Sequence, residues 1–356
     1  MAHNIQGTFV SQKINKIRWR PDPFNNSHSF LSCSWDDEQN SIKLWDFQEN
    51  DELEVHPYIV TQMEHKGDTT EAIFLSPDIF VCSSSLGSVG LFKIIYNKSS
   101  EISIESATQW QNIHKFPIEV SSCTAITNYD QDIVSVGEDG RINLLTLSSE
   151  SIVRSYENAD SCSLKCVIFL KHNEVLTSNI RGQMKIWDLR SKSEEPSNMF
   201  VMSSDMVAPT CLTYHPTQRH LVVAGDEDGS ITIWDLRKNT FPVNLLKAHD
   251  ESVTEIKFHP DYPDHLFSSS MAGDIWHWSL KPKPLSSMMI LPSEKDDNNI
   301  WFASDEFKNK LEVYTLMDQL HKPVNTFDVN QMKMICGCDN EAIYYIHDIK
   351  LHNPTK

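Results

Sequence analysis

Short segments of alternating apolar and polar residues recur along this chain. The clearest copy, residues 229–235, reads Gly-Ser-Ile-Thr-Ile-Trp-Asp, and residues 182–188 and 41–46 repeat its pattern. Alternation with a period of two residues predicts half-buried β-strands. Weaker copies of the same pattern lie at residues 89–93, 142–146, 275–279 and 342–346.

The tryptophan position of this segment recurs at a nearly regular spacing. The successive separations are 47, 53, 42, 47, 44 and 68 residues, between Trp45, Phe92, Leu145, Trp187, Trp234, Trp278 and Ile346. A period in the forties is typical of the four-stranded blade of a WD-repeat propeller. The last separation is longer than the others, which predicts a loop insertion at about 281–310.

A second alternating segment lies upstream of each tryptophan position and predicts the innermost strand of each blade. Several copies end at a proline, which cannot continue a strand. The seven copies are at residues 14–21, 70–77, 120–127, 164–170, 209–216, 253–260 and 324–330. The sequence therefore predicts an all-β fold, a seven-bladed WD-repeat β-propeller that forms a single domain over residues 1–356.

A ring of blades must be closed, because an open end would expose the edge of a sheet. Residues 7–13 alternate in the same way and precede the first innermost strand. We expect this stretch to complete the last blade by pairing beside residues 342–348.

The charge balance of the chain is strongly acidic. The chain has 31 Lys and Arg residues against 49 Asp and Glu, a net charge of -18, with no basic run. This balance argues against direct nucleic-acid binding. No signal sequence and no apolar run long enough to span a bilayer are visible, so we expect neither secretion nor membrane insertion.

No catalytic, metal or cofactor motif stands out. The eight cysteines are scattered and lack the spacing of a zinc site. No phosphate-binding loop and no nucleophile elbow occur. We therefore expect no enzyme activity, no cofactor, no metal and no small-molecule substrate.

WD repeats often carry a buried Trp–Ser/Thr–His–Asp network inside a blade, and the sequence shows it only in fragments. His114 and Asp139 are placed correctly, but Leu145 replaces the tryptophan. His249 is also well placed, yet Ala272 stands where the aspartate is expected. We interpret these histidines as structural residues.

Partner-binding residues are predicted at three kinds of place. Trp35 is expected in a turn, where it is either exposed to a partner or packed under the neighbouring loop. In the insertion, Met288, Ile290 and Trp301 are candidates for docking, and the alternative explanation is a mobile loop.

Two Trp-Asp-Leu-Arg segments, ending at Arg190 and Arg237, have the form of the box through which substrate receptors bind cullin-type ubiquitin ligases. The alternative explanation is a solvated turn after each tryptophan strand. A substrate-receptor adaptor of such a ligase is therefore the second functional hypothesis.

Several stretches outside the general repeat resemble the nucleoporin 43 family, WD-repeat propellers of the nuclear pore's Y complex. They lie at residues 9–21, 136–144, 245–249, 265–267, 276–278, 335–337 and 341–344. The sequence departs from this resemblance in the 281–310 loop and at Ala272.

The resemblance implies a non-catalytic scaffold subunit of the pore's outer rings. Its expected partners are protein subunits of the Y complex, chiefly the α-solenoid nucleoporin of the short arm. The expected location is the nucleus, at the nuclear envelope and pore, and the kinetochore in mitosis. Such a subunit supports nucleocytoplasmic transport of proteins and mRNA.

Overall fold

The structure is a computed structural model. It describes residues 4–22, 27–47, 56–97, 101–202, 206–238, 241–280, 301 and 311–351. Over these residues the chain forms 28 β-strands in seven four-stranded antiparallel sheets. No helix among the described residues has the length and apolar character needed to cross a membrane.

Blades 1 to 3 follow one another along the chain. Blade 1 contains β2 (Ile14–Trp19), β3 (Ser29–Ser34), β4 (Ser41–Phe47) and β5 (Pro57–Glu64). Blade 2 contains β6 (Thr69–Ser76), β7 (Ile79–Ser84), β8 (Val89–Tyr96) and β9 (Ile102–Trp110). Blade 3 contains β10 (Cys123–Tyr129), β11 (Asp132–Gly137), β12 (Ile142–Thr146) and β13 (Arg154–Tyr156).

Blades 4 to 6 repeat the arrangement. Blade 4 contains β14 (Leu164–Lys171), β15 (Glu174–Asn179), β16 (Gln183–Asp188) and β17 (Asn198–Val201). Blade 5 contains β18 (Pro209–His215), β19 (Gln218–Asp226), β20 (Ser230–Asp235) and β21 (Asn244–Lys247). Blade 6 contains β22 (Val253–Phe258), β23 (His265–Ser270), β24 (Ile275–Leu280) and β25 (Leu311–Met317).

Blade 7 closes the ring with strands from both ends of the chain. It contains β26 (Val324–Asn330), β27 (Lys333–Cys338), β28 (Ala342–His347) and, outermost, β1 (Asn4–Phe9). β1 pairs with β28 in antiparallel register, from Asn4 opposite His347 to Phe9 opposite Ala342. The predicted seven-bladed propeller and its closure by an N-terminal strand are confirmed.

The bounds of the closing strand differ from the prediction of residues 7–13. The strand ends at Phe9, and Ser11 has a left-handed backbone with φ of 59°. Gln12 then turns toward blade 1, where its amide donates to the carbonyl of Gln39. Alternation continues through this turn in the sequence, so polarity alone did not reveal where the strand ends.

The hydrophobic core is divided into seven clusters, one at each interface between neighbouring blades. All seven predicted tryptophan positions lie on the third strand of their blades and are buried. The cluster at the closure joins Ile17, Phe30 and Trp45 of blade 1 to Ile335 and Ile343 of blade 7. Each blade is therefore stabilised by its neighbours, as expected for a repeat architecture.

Every innermost strand begins with a β-bulge at its second residue. A bulge redirects the side chain of the extra residue. In six blades that side chain donates a hydrogen bond to the first carbonyl of the next innermost strand. The six donors are Asn15, Thr70, Thr124, Thr210, Thr254 and Asn325.

Blade 4 is the exception to this ring of hydrogen bonds. Lys165 occupies the bulge position, and the carbonyl of Pro209 receives only a 3.7 Å contact from the thiol of Cys166. The link between blades 4 and 5 at this level is therefore weaker than at the other interfaces.

The two faces of the ring are defined here by the direction of the innermost strands. The entry face is where these strands begin; it carries the turns between the second and third strands of each blade and the connections between blades. The exit face is where they end, and it carries the turns between the first and second and between the third and fourth strands.

Candidate interaction surfaces

A central channel runs along the ring axis between the innermost strands. It encloses about 410 Å³ and is lined by residues from all seven blades. Its wall has two unlike halves. Blades 6, 7, 1 and 2 contribute all of its charged side chains except Lys165, whereas the other lining side chains of blades 3 to 5 are apolar or uncharged.

Arg18 is the centre of the charged half. Its Nη2 atom lies 2.8 Å from Oε1 of Glu255 in blade 6 and also contacts Glu71 in blade 2. Its Nη1 atom donates to Oγ1 of Thr326 in blade 7 at 3.0 Å. Its Nε atom donates to the carbonyl of Ala72. One side chain thereby joins four blades.

Two lysines complete the charged half. Lys16 Nζ lies 3.3 Å from Oε2 of Glu71. Lys257 Nζ lies 3.3 Å from Oε1 of Glu255 and 3.1 Å from Oδ1 of Asp328. The charged side chains of this half are thus all paired, as buried charges must be.

The electrostatics of the network keep its members ionised. Burial raises the pKa of Glu71, but Lys16 and Arg18 outweigh this effect and the net shift is downward. Burial likewise opposes ionisation of Glu255, and Arg18 and Lys257 lower its pKa well below the usual carboxyl range. Burial lowers the pKa of Arg18, while Glu255 and Glu71 raise it by more.

Lys165 differs from the other channel cations. Its side chain is exposed at the entry face and has no ion pair or hydrogen bond among the described residues. The channel wall contains four cations, Lys16, Arg18, Lys165 and Lys257, and three carboxylates, Glu71, Glu255 and Asp328. The wall therefore has a net charge of about +1 in a protein whose net charge is -18.

Blade 6 contains a complete buried hydrogen-bonded network. His249 Nδ1 lies 2.9 Å from Oδ1 of Asp274, and His249 Nε2 lies 2.7 Å from Oγ of Ser268. The indole of Trp278 donates to the same serine at 2.8 Å. The expectation that Ala272 fills the aspartate position was wrong, because the aspartate follows the turn glycine here instead of preceding it.

Blade 3 contains the same network without its tryptophan. His114 Nδ1 lies 2.9 Å from Oδ1 of Asp139, and His114 Nε2 lies 2.9 Å from Oγ of Ser135. The backbone amide of Lys115 donates to the second oxygen of Asp139. Both histidine networks hold a blade to the connection that precedes it.

Arg190 and Arg237 lie on the exit face, each bonded to the aspartate two residues before it. Arg190 Nε and Nη2 donate to Asp188 at 3.0 and 2.9 Å, and Arg237 contacts Asp235 in the same way at 2.9 and 2.8 Å. The hydrogen bond from Arg190 lowers the pKa of Asp188 to about 2. Each guanidinium thus closes its own turn, although both side chains keep exposed surface.

Trp35 lies in the turn between β3 and β4 and is half-buried. Its indole donates to Oδ1 of Asp339 in blade 7 at 3.0 Å, and its backbone amide donates to the carbonyl of Lys13. The residue therefore links blades 1 and 7 at the closure, and only part of its surface is open to a partner.

The insertion candidates have different outcomes. Met288 and Ile290 lie outside the described residues, as does the rest of the 281–310 loop except Trp301. Trp301 is fully buried and packs edge-on against Phe258 with ring centroids 5.4 Å apart. Its carbonyl accepts a hydrogen bond from Asn244. Its assignment as a docking residue is corrected: the side chain belongs to the core between blades 5 and 6.

An apolar projection on the entry face was missed in the sequence. The connection between β9 and β10 contains a small hairpin in which Lys115 pairs with Val120. Ile118 at its tip is 96% exposed, and Phe116 is 41% exposed. The alternation of residues 120–127 predicts an innermost strand from residue 120, whereas the strand begins only at Cys123. The signal that could have found the hairpin is Pro117 between two apolar residues.

The cysteines are free thiols, and Cys336 and Cys338 are buried side by side on β27. Within the described part of the chain, no group of three or more His, Cys, Asp or Glu side chains is arranged to hold a metal ion.

Comparison with known proteins agrees with the architecture. Residues 199–235 match the family model described as WD domain, G-beta repeat. The chain is 36% identical to nucleoporin Nup43 of Homo sapiens and 35% identical to that of Mus musculus, over 96% of this chain and 97% of each relative. It is 30% identical to nuclear pore complex protein nup43 of Dictyostelium discoideum over 59% of this chain and 49% of that protein. The chain belongs to the Nup43 family of nucleoporins.

Proposed function

We propose that this protein is a non-catalytic scaffold subunit of the nuclear pore's outer rings, a member of the Y complex that docks on the α-solenoid nucleoporin of the short arm. The observation that carries the proposal is the 36% identity to a nucleoporin over 96% of the chain. The closed ring fits this role, because a propeller presents two faces and a rim for protein contacts without needing a rearrangement.

The site chemistry supports a structural role. The buried histidines are bonded to aspartate and serine inside blades 3 and 6, so they hold the blades together. The arginines of the two Trp-Asp-Leu-Arg segments are satisfied by their own aspartates. That geometry agrees with a solvated turn and gives no specific support to the ubiquitin-ligase hypothesis.

The test is affinity purification of the tagged chain from nuclear-envelope extract, read by quantitative mass spectrometry. We expect the α-solenoid subunits of the Y complex in near-stoichiometric amounts. Recovery of a ligase adaptor without these subunits would overturn the proposal. The Arg190→Ala/Arg237→Ala double variant is the matched control, and it should recover the same subunits as the wild-type chain.

A role in transport and in mitosis is part of the same proposal. Imaging of a fluorescently tagged chain should show a nuclear rim in interphase and kinetochore foci in mitosis. A rim without mitotic foci would remove the kinetochore role and leave the pore role in place.

A further inference from the structure

We propose that the entry face over blades 2 to 4 is the surface on which the pore scaffold partner docks, and that it receives an apolar groove of that partner with a carboxylate at its edge. This inference rests on the proposed function, because the partner is a neighbouring pore subunit.

The first observation is a preformed projection. The connection from β9 to β10 spans residues 111–122, whereas the other connections between blades have four to seven residues. Its hairpin is closed by the amide of Phe116, which donates to the carbonyl of Glu119 at 2.9 Å. Its base is fixed by the amide of Lys115 on the buried carboxylate of Asp139. A rigid projection loses little conformational entropy when it binds.

The second observation is the exposure of apolar side chains on this projection. Ile118 is 96% exposed, Val120 51% and Phe116 41%. Leu86, in the neighbouring turn of blade 2, is 46% exposed. Clustered exposed apolar side chains mark interaction surfaces, whereas single ones need no explanation.

The third observation is that the surface continues into blade 4. The amide of Glu138 donates to the carbonyl of Ser122, two residues after Val120. Ser163 Oγ donates to the carbonyl of Glu138, and the carbonyl of Ser163 accepts from the amide of Ile180. This chain of hydrogen bonds places the hairpin and the Ile180 turn on one continuous surface.

Blade 4 adds two further apolar side chains and a cation. Ile180 is 42% exposed and Met206 is 65% exposed. The carbonyl carbon of Met206 lies 3.7 Å from the position a side chain would take at Gly182, so both residues border the same turn. Lys165 lies two residues after Ser163 at the channel mouth and has no carboxylate partner among the described residues.

The charges on the entry face indicate which kind of partner surface can bind there. Among the described residues over blades 2 to 4, the exposed charges outside the channel balance: Lys66, Lys115 and Arg181 against Glu119, Glu138 and Glu157. Lys165 therefore leaves an excess positive charge at the channel mouth. Over blades 5 and 6 the same face carries four exposed carboxylates, Glu227, Asp228, Asp250 and Glu251, against one exposed cation, Lys247. A partner carboxylate is thus attracted to Lys165 and repelled from blades 5 and 6.

The shape of the entry face indicates that the partner surface is concave. The hairpin is convex, with Pro117 and Ile118 at its tip between two paired residues, so its counterpart must be concave and apolar. An α-solenoid stacks helix pairs into a superhelix that presents an extended concave binding surface. The partner surface is therefore an apolar groove of the α-solenoid subunit, with an acidic residue on the side that faces Lys165.

The experiment measures the affinity of the purified full chain for the purified α-solenoid subunit. Ile118→Asp places a charge at the hairpin tip, and Lys165→Glu reverses the charge at the channel mouth. Each should weaken binding by about tenfold or more. The matched control is Phe241→Asp, because Phe241 is 76% exposed but lies on the exit face, and it should bind within about twofold of wild type.

A second measurement does not depend on a loss of affinity. A photo-crosslinking amino acid at position 118 should capture the partner, whereas the same group at position 241 should not. Unchanged melting temperatures would show that the exposed substitutions leave the fold intact.

The outcomes separate the two proposals. If the wild-type chain does not bind the α-solenoid subunit, the proposed function fails and this inference fails with it. If the wild-type chain binds, but Ile118→Asp and Lys165→Glu bind equally well and only position 241 crosslinks, the function stands and the entry-face surface is wrong.

Discussion

Both halves of the channel wall are lined by the innermost strands of their blades, at matching positions along each strand. The blades of the two halves are nevertheless held together by different interactions. In the charged half, Arg18 reaches Glu255 and Thr326, which are 237 and 308 residues away in sequence. The other half, formed by blades 3 to 5, is called the neutral half because its lining side chains other than Lys165 are uncharged. Its blades follow one another along the chain, and their innermost strands meet through apolar side chains and threonines.

The difference coincides with the ring closure. Blades 7 and 1 are neighbours only because the ends of the chain meet, and Trp19 of blade 1 donates to the carboxylate of Asp328 across this junction at 2.8 Å. A buried ion pair adds little net stability to a protein compared with apolar packing. Removing one partner of the pair, however, destabilises the protein strongly, because the other charge stays buried without compensation. We infer that the charged half specifies which strands meet, whereas the neutral half relies on chain order.

The largest loss of stability is expected from removing β1. Deleting residues 1–9 exposes the edge of β28 and should lower the melting temperature by about 10 °C or more, since a strand contributes several kcal/mol. Thermal unfolding followed by circular dichroism measures the change. Deleting only residues 1–3, which precede β1, is the control. An unchanged melt after the longer deletion would mean that the charged half closes the ring unaided.

A slightly smaller effect is expected from Arg18→Met. The substitution leaves Glu71 and Glu255 buried near each other without their shared cation, which should cost about 3–5 kcal/mol. Thr213→Ala, at the matched position of blade 5, should cost less than about 1 kcal/mol. Chemical denaturation gives both values. Equal losses at the two positions would remove the distinction between the halves.

The buried histidines and the charged half should affect the stability of the fold in different pH ranges. Burial lowers the pKa of His65 and of His215 from 6.5 to about 4. The unfolded chain therefore binds protons that the folded chain does not, and stability is lost as the pH falls from 6.5 toward 4. The carboxylates Glu71 and Glu255, whose folded pKa values lie below 4.5, lose their contribution only below that pH.

The melting temperature should accordingly fall between pH 6.5 and 4.5 while the charged half is still intact. Each pKa unit corresponds to about 1.4 kcal/mol, so a fall of several degrees is expected. His215→Gln should flatten this part of the profile. A profile that the substitution leaves unchanged would mean that His215 is not the titrating group.

The smallest effect on stability is expected from Lys165→Thr. This substitution tests whether the weak link between blades 4 and 5 can be strengthened. Threonine restores the residue type that links neighbouring blades at the corresponding positions of blades 2, 3, 5 and 6. One added hydrogen bond should raise the free energy of unfolding by about 1 kcal/mol. A destabilised variant would mean that Lys165 contributes to the fold and is not held free for a partner.

The fold could be predicted from the sequence because each blade repeats a strong local signal. Strands with a buried tryptophan position and a regular spacing fix the number of blades, even where Leu145 or Ile346 replaces the tryptophan. Strand ends were less certain, since a left-handed residue such as Ser11 leaves no trace in the polarity pattern.

The interaction surface was harder to predict, because exposure depends on tertiary neighbours. Trp301 and Ile118 are both apolar residues in connections, and sequence alone does not distinguish them. Phe258 and the carbonyl-bound Asn244 enclose Trp301, while the hairpin leaves Ile118 uncovered. The aspartate of the blade 6 network was missed for a local reason: it lies at position 274, after Gly273, and not at position 272 before it.

The pairing of Asn4 with His347 also orders events during synthesis of the chain. A ribosome adds residues one at a time, so β1 emerges first and its partner β28 emerges nearly last. Until then β1 and the edge of blade 1 have no neighbour, and long-range pairings of this kind form slowly. The nascent chain therefore keeps its first strand unpaired until almost the whole propeller has been made.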